Sequence, residues 1–157
     1  MRRYHNDNDY WAIRQFLRET FLQYDRHEVC WPVYRWDYWR WYVNECICHF
    51  HLPAALFLWH TPAGALVALL HPDGPGEAFL EVAPAFRAPE LEVELITMAE
   101  THYAVSQPDG TQKLTIWVHS SDTLRRQVLQ RRGYTRGGQP ECQRRRDLDR
   151  PLLPPVA

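Results

Sequence analysis

Three short apolar runs follow one another between residues 55 and 82, and this close spacing constrains the fold more than any other feature of the chain. Residues 55 to 61 (ALFLWHT) and 65 to 71 (ALVALLH) are joined by Pro62, Ala63 and Gly64, which leaves room only for an antiparallel hairpin. The turn-forming segment HPDGPG then leads into EAFLEVAP, where Phe79 and Glu81 alternate with Leu80 and Val82 until Pro84 ends the run. At Pro89 the period changes. Proline is suited to the first turn of a helix, Glu90 and Glu92 complement its dipole, and Leu91, Leu95, Met98 and Ala99 form one stripe. After the turn QPDG (107 to 110), KLTIWVH (113 to 119) has the β-branched and aromatic content of a strand. A strand, a helix and a second strand in succession imply a parallel crossover added to an antiparallel meander.

Helices are expected on either side of this block. Residues 8 to 24 place Trp11, Ile13, Phe16, Leu17, Thr20, Phe21 and Tyr24 at spacings of mostly three or four, with Asn8 or Asp9 as cap. A second helix is expected from Val33 to about Cys46, through RWDYWRWYVNE. Its aromatics surround most of the helix, so it either packs between other elements or lends part of its surface to a partner. Ser121 or Asp122 can cap a last helix carrying Leu124, Val128 and Leu129, which Gly133 ends. Strand is expected again from Tyr134, with ECQRRRDL as the last run. The reading is a mixed α/β (α+β) domain over residues 1–150, with a sheet of about six to seven strands and four helices, followed by a Pro-rich tail or linker at 151–157.

Composition fits one core. Of 157 residues 45% are hydrophobic, and seven Trp, eight Tyr and six Phe can fill a domain of this size without disulfides or metals. The N-terminus MRRYHNDNDYW is too polar for a signal peptide, and no apolar run approaches the roughly 20 residues that span a bilayer. A cytoplasmic protein with reduced thiols at Cys30, Cys46, Cys48 and Cys142 is therefore expected. Net charge is −1 but unevenly divided. Residues 73 to 100 hold seven acids against Arg87, a sum of −6, while residues 112 to 150 hold ten bases against four acids, a sum of +6. Complementary surfaces on neighbouring elements explain this more simply than a nucleic-acid patch.

The stretch EVAPAFRAPELEVEL (81 to 95) resembles the acetyl-CoA signature of the GNAT superfamily of N-acetyltransferases. There, a strand ending Val-x-Pro runs into Arg or Gln, two residues, Gly, one residue, Gly or Ala, and a helix. Val82, Pro84, Arg87 and Leu95 fall on that pattern, and SDTLRRQVLQRRGY resembles the family's later strand-to-helix segment through Gly133 and Tyr134. The resemblance implies a GNAT fold, acetyl-CoA as cofactor, an amine as acceptor, and a site built on Val82, Ala83, Arg87, Ala88, Pro89, Glu90, Leu91, Glu92 and Asp122. Catalysis needs a base to neutralise the amine and an acid for the leaving thiolate. Glu81 and His119 are the candidate bases, with a solvent-facing strand acid and a capping histidine as their plainer roles. Leu129 stands where the family often has its tyrosine acid. Tyr134 is the candidate substitute, unless its ring simply packs in the core.

The departure from the family lies in the loop itself. Small residues there let backbone N–H groups approach a pyrophosphate, but positions 90 and 92 are glutamate and Pro89 removes a donor. Each carboxylate beside a diphosphate costs on the order of 1 kcal/mol per charge pair at about 4 Å in water, and more where water is excluded. Either cofactor binding is impaired, or Glu90 and Glu92 point to solvent as ordinary first-turn acids. The two resulting expectations are an N-acetyltransferase and a catalytically inactive GNAT-like binding or partner module, as a homodimer or beside a second GNAT domain. Two other constellations carry less. Cys46, Cys48, His49 and His51 in ECICHFH are metal-capable types at a spacing that does not suit zinc, so no metal is expected. YRWDYWRWY interleaves arginines with stacking rings, but core packing or the lining of an acceptor pocket explains it better than nucleic acid does.

Overall fold

Asn6, two residues earlier than expected, caps the first helix, α1 (Asp7–Gln23), by accepting the Asn8 N–H at 2.9 Å. Asp9 cannot serve as cap because its carboxylate folds back onto the His5 N–H at 2.7 Å and onto the Arg2 guanidinium. That contact also holds β1 (Arg2–Arg3) against the edge of the sheet, where it pairs antiparallel with β2 (Phe57–His60). These features come from a computed structural model, which describes residues 1–27 and 29–137.

Pro32 precedes the second helix, α2 (Val33–Tyr38), which continues without a break as a π-helical segment over Trp39–Cys48. Trp36 and Trp39 on this helix are 0% and 1% exposed, and ordinary α spacing would next turn Val43 inward. The wider π turn steps five residues instead and buries Asn44. The Asn44 side-chain amide accepts the Phe50 N–H at 2.8 Å and donates to the Phe50 carbonyl at 3.3 Å, closing the end of the helix. One short turn, α3 (Leu52–Ala55), leads into β2 and occupies the start of what the sequence suggested was strand.

The hairpin is as expected. β2 pairs antiparallel with β3 (Leu66–His71), with an irregularity at Trp59/His60, and Gly64 at φ 89° makes the turn. β3 pairs antiparallel with β4 (Glu77–Val82). Between them Gly76 has φ 76°, and a Cβ there would lie 2.8 Å from a methyl of Val105, so both conformation and space require glycine. A 3₁₀ turn (Pro84–Phe86) follows, then α4 (Pro89–Tyr103). The expected strand 113–119 is divided. Its start, β6 (Gln112–Lys113), pairs with β5 (Val105–Ser106) across the QPDG turn, and β7 (Thr115–Ile116) pairs parallel with β4. α5 (Thr123–Arg131) has Asp122 as its cap, and Gly133 follows it at φ 84°.

The result is a mixed five-stranded sheet, β1-β2-β3-β4-β7, with five α-helices among the described residues. The closing strand ECQRRRDL, Cys142 and the 151–157 tail lie outside the described residues, and Tyr134–Gly137 carries no strand. Alternation along β3 and β4 gives the sheet two buried faces. Ala68, Leu70, Ala78, Leu80 and Val82 pack with Leu95, Ile96, Ala99, Val128 and Leu129 of α4 and α5. Leu58 and Leu69 pack with Ile13, Phe16, Leu17, Trp31, Trp36 and Trp39 on the other side. Among the described residues no helix is long and apolar enough to cross a membrane.

Candidate functional site

β4 and β7 pair only at their beginnings, through Glu77–Thr115 and Ala78–Ile116, and the last bond between them runs from the Trp117 N–H to the Ala78 carbonyl at 3.2 Å. Beyond it the carbonyls of β4 are taken by side chains. Arg125 Nη1 donates to the Leu80 carbonyl at 2.7 Å, and the Tyr24 hydroxyl donates to the Val82 carbonyl at 3.2 Å. An open groove of 570 Å³ lies beside the end of β4, lined by Tyr24, His27, Pro84, Arg87, His119 and Asp122 among others.

Four charged residues from three segments meet beside this groove. Glu92, on the first turn of α4, is fully buried. Its carboxylate accepts Arg125 Nε at 2.8 Å and Arg125 Nη2 at 3.2 Å, a forked pair, and lies 3.1 Å from Arg87 Nε. Arg87 reaches on to Asp122 Oδ1, which also accepts the Arg125 N–H at 3.0 Å as the cap of α5. Two guanidiniums and two carboxylates leave no net charge. Burial opposes the charge on Arg87, but the hydrogen bond to Asp122 and the charge of Glu92 outweigh it and hold its pKa above the ordinary value. Burial likewise pushes the Asp122 carboxyl up, while Arg87 and Arg125 together bring it below the ordinary value.

The two glutamates of the suspected phosphate loop therefore do different things. Glu90 is exposed, as a first-turn acid would be. Glu92 points inward and is the carboxylate partner of both Arg87 and Arg125. Ala88 caps α4 with no side-chain hydrogen bond, Pro89 has no N–H to donate, and Leu91 packs against the core. Val82 and Ala83 are buried at the end of β4.

Of the candidate catalytic groups, only His119 lines the groove. Its Nδ1 accepts the Ser121 N–H at 3.3 Å and lies 2.7 Å from the Ser121 hydroxyl. With Nδ1 acting as acceptor, the neutral ring carries its hydrogen on Nε2, which leaves no second lone pair for a base. Glu81 is 2% exposed and faces the opposite side of β4, so it is not a solvent-facing acid. There it accepts the Trp31 N–H and meets His71 Nε2, each at 3.3 Å. His71 Nδ1 lies 3.1 Å from the Pro72 carbonyl, which can only accept, so Nδ1 carries a hydrogen. Cys30 sits beside this pair, its thiol pushed well up by burial and by Glu81. Tyr134 lies past the far end of α5, packed on the core with its hydroxyl donating to Glu100 at 3.1 Å. Burial, then the charge of Glu100, drives its pKa up and away from acid catalysis.

Tyr24 is the groove residue that sequence reasoning assigned only to a helix stripe. Its hydroxyl pKa is also raised, chiefly by burial. No signal in the sequence places it at the end of β4, because that position depends on how α1 crosses the sheet. Among the described residues no group of three or more His, Cys, Asp or Glu side chains could hold a metal ion. No protein-family model matches the chain, and no curated protein or solved structure matches it.

Proposed function

We propose that this chain is a GNAT-like domain that serves as a binding or partner module, as in one half of a tandem arrangement, rather than as an acetyl-CoA-dependent enzyme. The observation that carries the reading is the internal counterion: Glu92, fully buried, engages both Arg87 and Arg125. A diphosphate entering here would have to displace a carboxylate that has no route to solvent, and leaving that carboxylate unpaired in the interior costs several kcal/mol. The missing donor at Pro89, the apolar Leu129 and the occupied Nδ1 of His119 support the same reading.

A second reading keeps the enzyme, an N-acetyltransferase moving an acetyl group from acetyl-CoA to an amine by direct attack. It is favoured by the parting of β4 from β7 and by the groove beside them. Calorimetric titration of acetyl-CoA into the native chain and into a Glu90→Gly, Glu92→Gly double variant separates the two. Binding by the variant alone supports the internal-counterion reading. Micromolar binding by the native chain overturns it, and binding by neither refutes the placement of the cofactor loop.

A further inference from the structure

The aromatic helix buries one side and leaves the other bare. Tyr34, Tyr38, Trp41 and Tyr42 are between 51% and 67% exposed and stand at i, i+4, i+7 and i+8, one face of the helix. Ile47, 60% exposed, follows five residues on, one turn of the π-helical segment. Trp11 of α1, 59% exposed, extends the face sideways through Tyr10, whose ring meets Trp11 at 4.9 Å and Trp41 at 5.4 Å. Tyr38 and Tyr42 stack on each other at 5.3 Å. Such rings bury roughly 150 to 250 Å² each when covered, so five of them at half to two-thirds exposure present on the order of 500 Å². With Ile47 and the stems of neighbouring arginines the face approaches the roughly 800 Å² that each partner gives to a stable protein interface.

Charge decides what can cover it. Arg14 pairs with Asp37 at 3.0 Å, Arg35 with Asp73 at 2.9 Å, and Arg40 with Glu45. The guanidiniums of Arg14 and Arg40 also lie over the rings of Trp11 and Trp41 at 5.6 and 4.3 Å. Binding to nucleic acid is driven by cations that phosphate can neutralise, and these arginines are already neutralised. A face without net charge meets its own copy without repulsion, and an isologous contact sets each element against itself. We infer that this face, centred on Tyr38, Trp41 and Tyr42, is the interface of a two-fold symmetric homodimer. The inference is independent of whether the groove binds acetyl-CoA.

The test is light scattering coupled to size exclusion over about a hundredfold range of protein concentration, with the expected species moving from 18.7 kDa to twice that mass. In the same samples the indole N–H resonances of Trp11 and Trp41 should shift with concentration while that of Trp117 stays fixed. Tyr38→Glu with Tyr42→Glu sets four like charges together in the dimer and should weaken it at least about a hundredfold. Val93→Gln, at an exposed apolar residue of α4, should leave it unchanged. A native chain that remains monomeric throughout overturns the proposal, as does a dimer that survives the double substitution or is lost equally with Val93→Gln.

Discussion

Glu92→Gln is nearly isosteric and removes one charge from the cluster that joins β4, α4 and α5. In the native chain Glu92 is 0% exposed and Arg125 is 3% exposed, so water cannot replace the lost carboxylate at Arg125. The introduced amide still offers one acceptor oxygen, but its NH₂ group must face a guanidinium. Removing one partner of a buried pair costs about 3 to 5 kcal/mol, and the side-chain exposure of Arg87, 15%, favours the lower end. For a domain of this size about 3 kcal/mol corresponds to a fall in Tm of roughly 6 to 12 °C. The variant should also respond to an added anion more strongly than the native chain does. With Glu92 neutralised, Arg87, which lines the groove, keeps only Asp122 as a charged partner, and inorganic pyrophosphate in the groove can supply it the missing charge. A ligand at about a hundred times its Kd adds about 2.7 kcal/mol of stability, enough to restore most of the lost Tm. Differential scanning fluorimetry of both proteins with and without pyrophosphate measures both effects. A loss below about 1 kcal/mol, or equal stabilisation of native and variant chains by pyrophosphate, would show that Glu92 is not the counterion of this cluster.

Two further outcomes follow from neighbouring groups. Because the folded Asp122 carboxyl lies below its ordinary value, its contribution to stability is fully present above the usual carboxylate pKa and is lost as pH falls through the folded one. Urea midpoints measured from neutral pH into the acid range should therefore fall less steeply for Asp122→Asn than for the native chain, and identical slopes would contradict this assignment. The cysteines should react in order of exposure. Cys46 is exposed, whereas burial and the neighbouring Glu81 hold the Cys30 thiol protonated. Peptide-resolved alkylation should label Cys46 promptly and Cys30 only on unfolding, and prompt modification of Cys30 in the folded chain would show that its buried setting is misplaced.

The features legible in the sequence are local. The hairpin of β2 and β3, the helix starts after Pro32 and at Pro89, the Asp122 cap and the Gly133 stop each depend on a few consecutive residues whose conformational preferences agree. The opposite charge of residues 73–100 and 112–150 also hinted at the contact now seen between Glu92 and Arg125 and between Glu100 and Arg132. It did not say which acid would turn inward. Glu90 and Glu92 are alike as first-turn acids, and only the seating of α4 against α5 sends one to solvent and buries the other beneath two arginines. Glu81 found His71 and Trp31 in the same way, across 10 and 50 positions of chain. The π turn that buries Asn44 in place of Val43, and the splitting of the 113–119 run between two partners, were decided by neighbours that a short window of sequence does not contain. Pairing and burial are properties of surfaces brought together by the whole chain, so the tertiary structure alone could turn the suspected phosphate loop into an occupied ion-pair cluster.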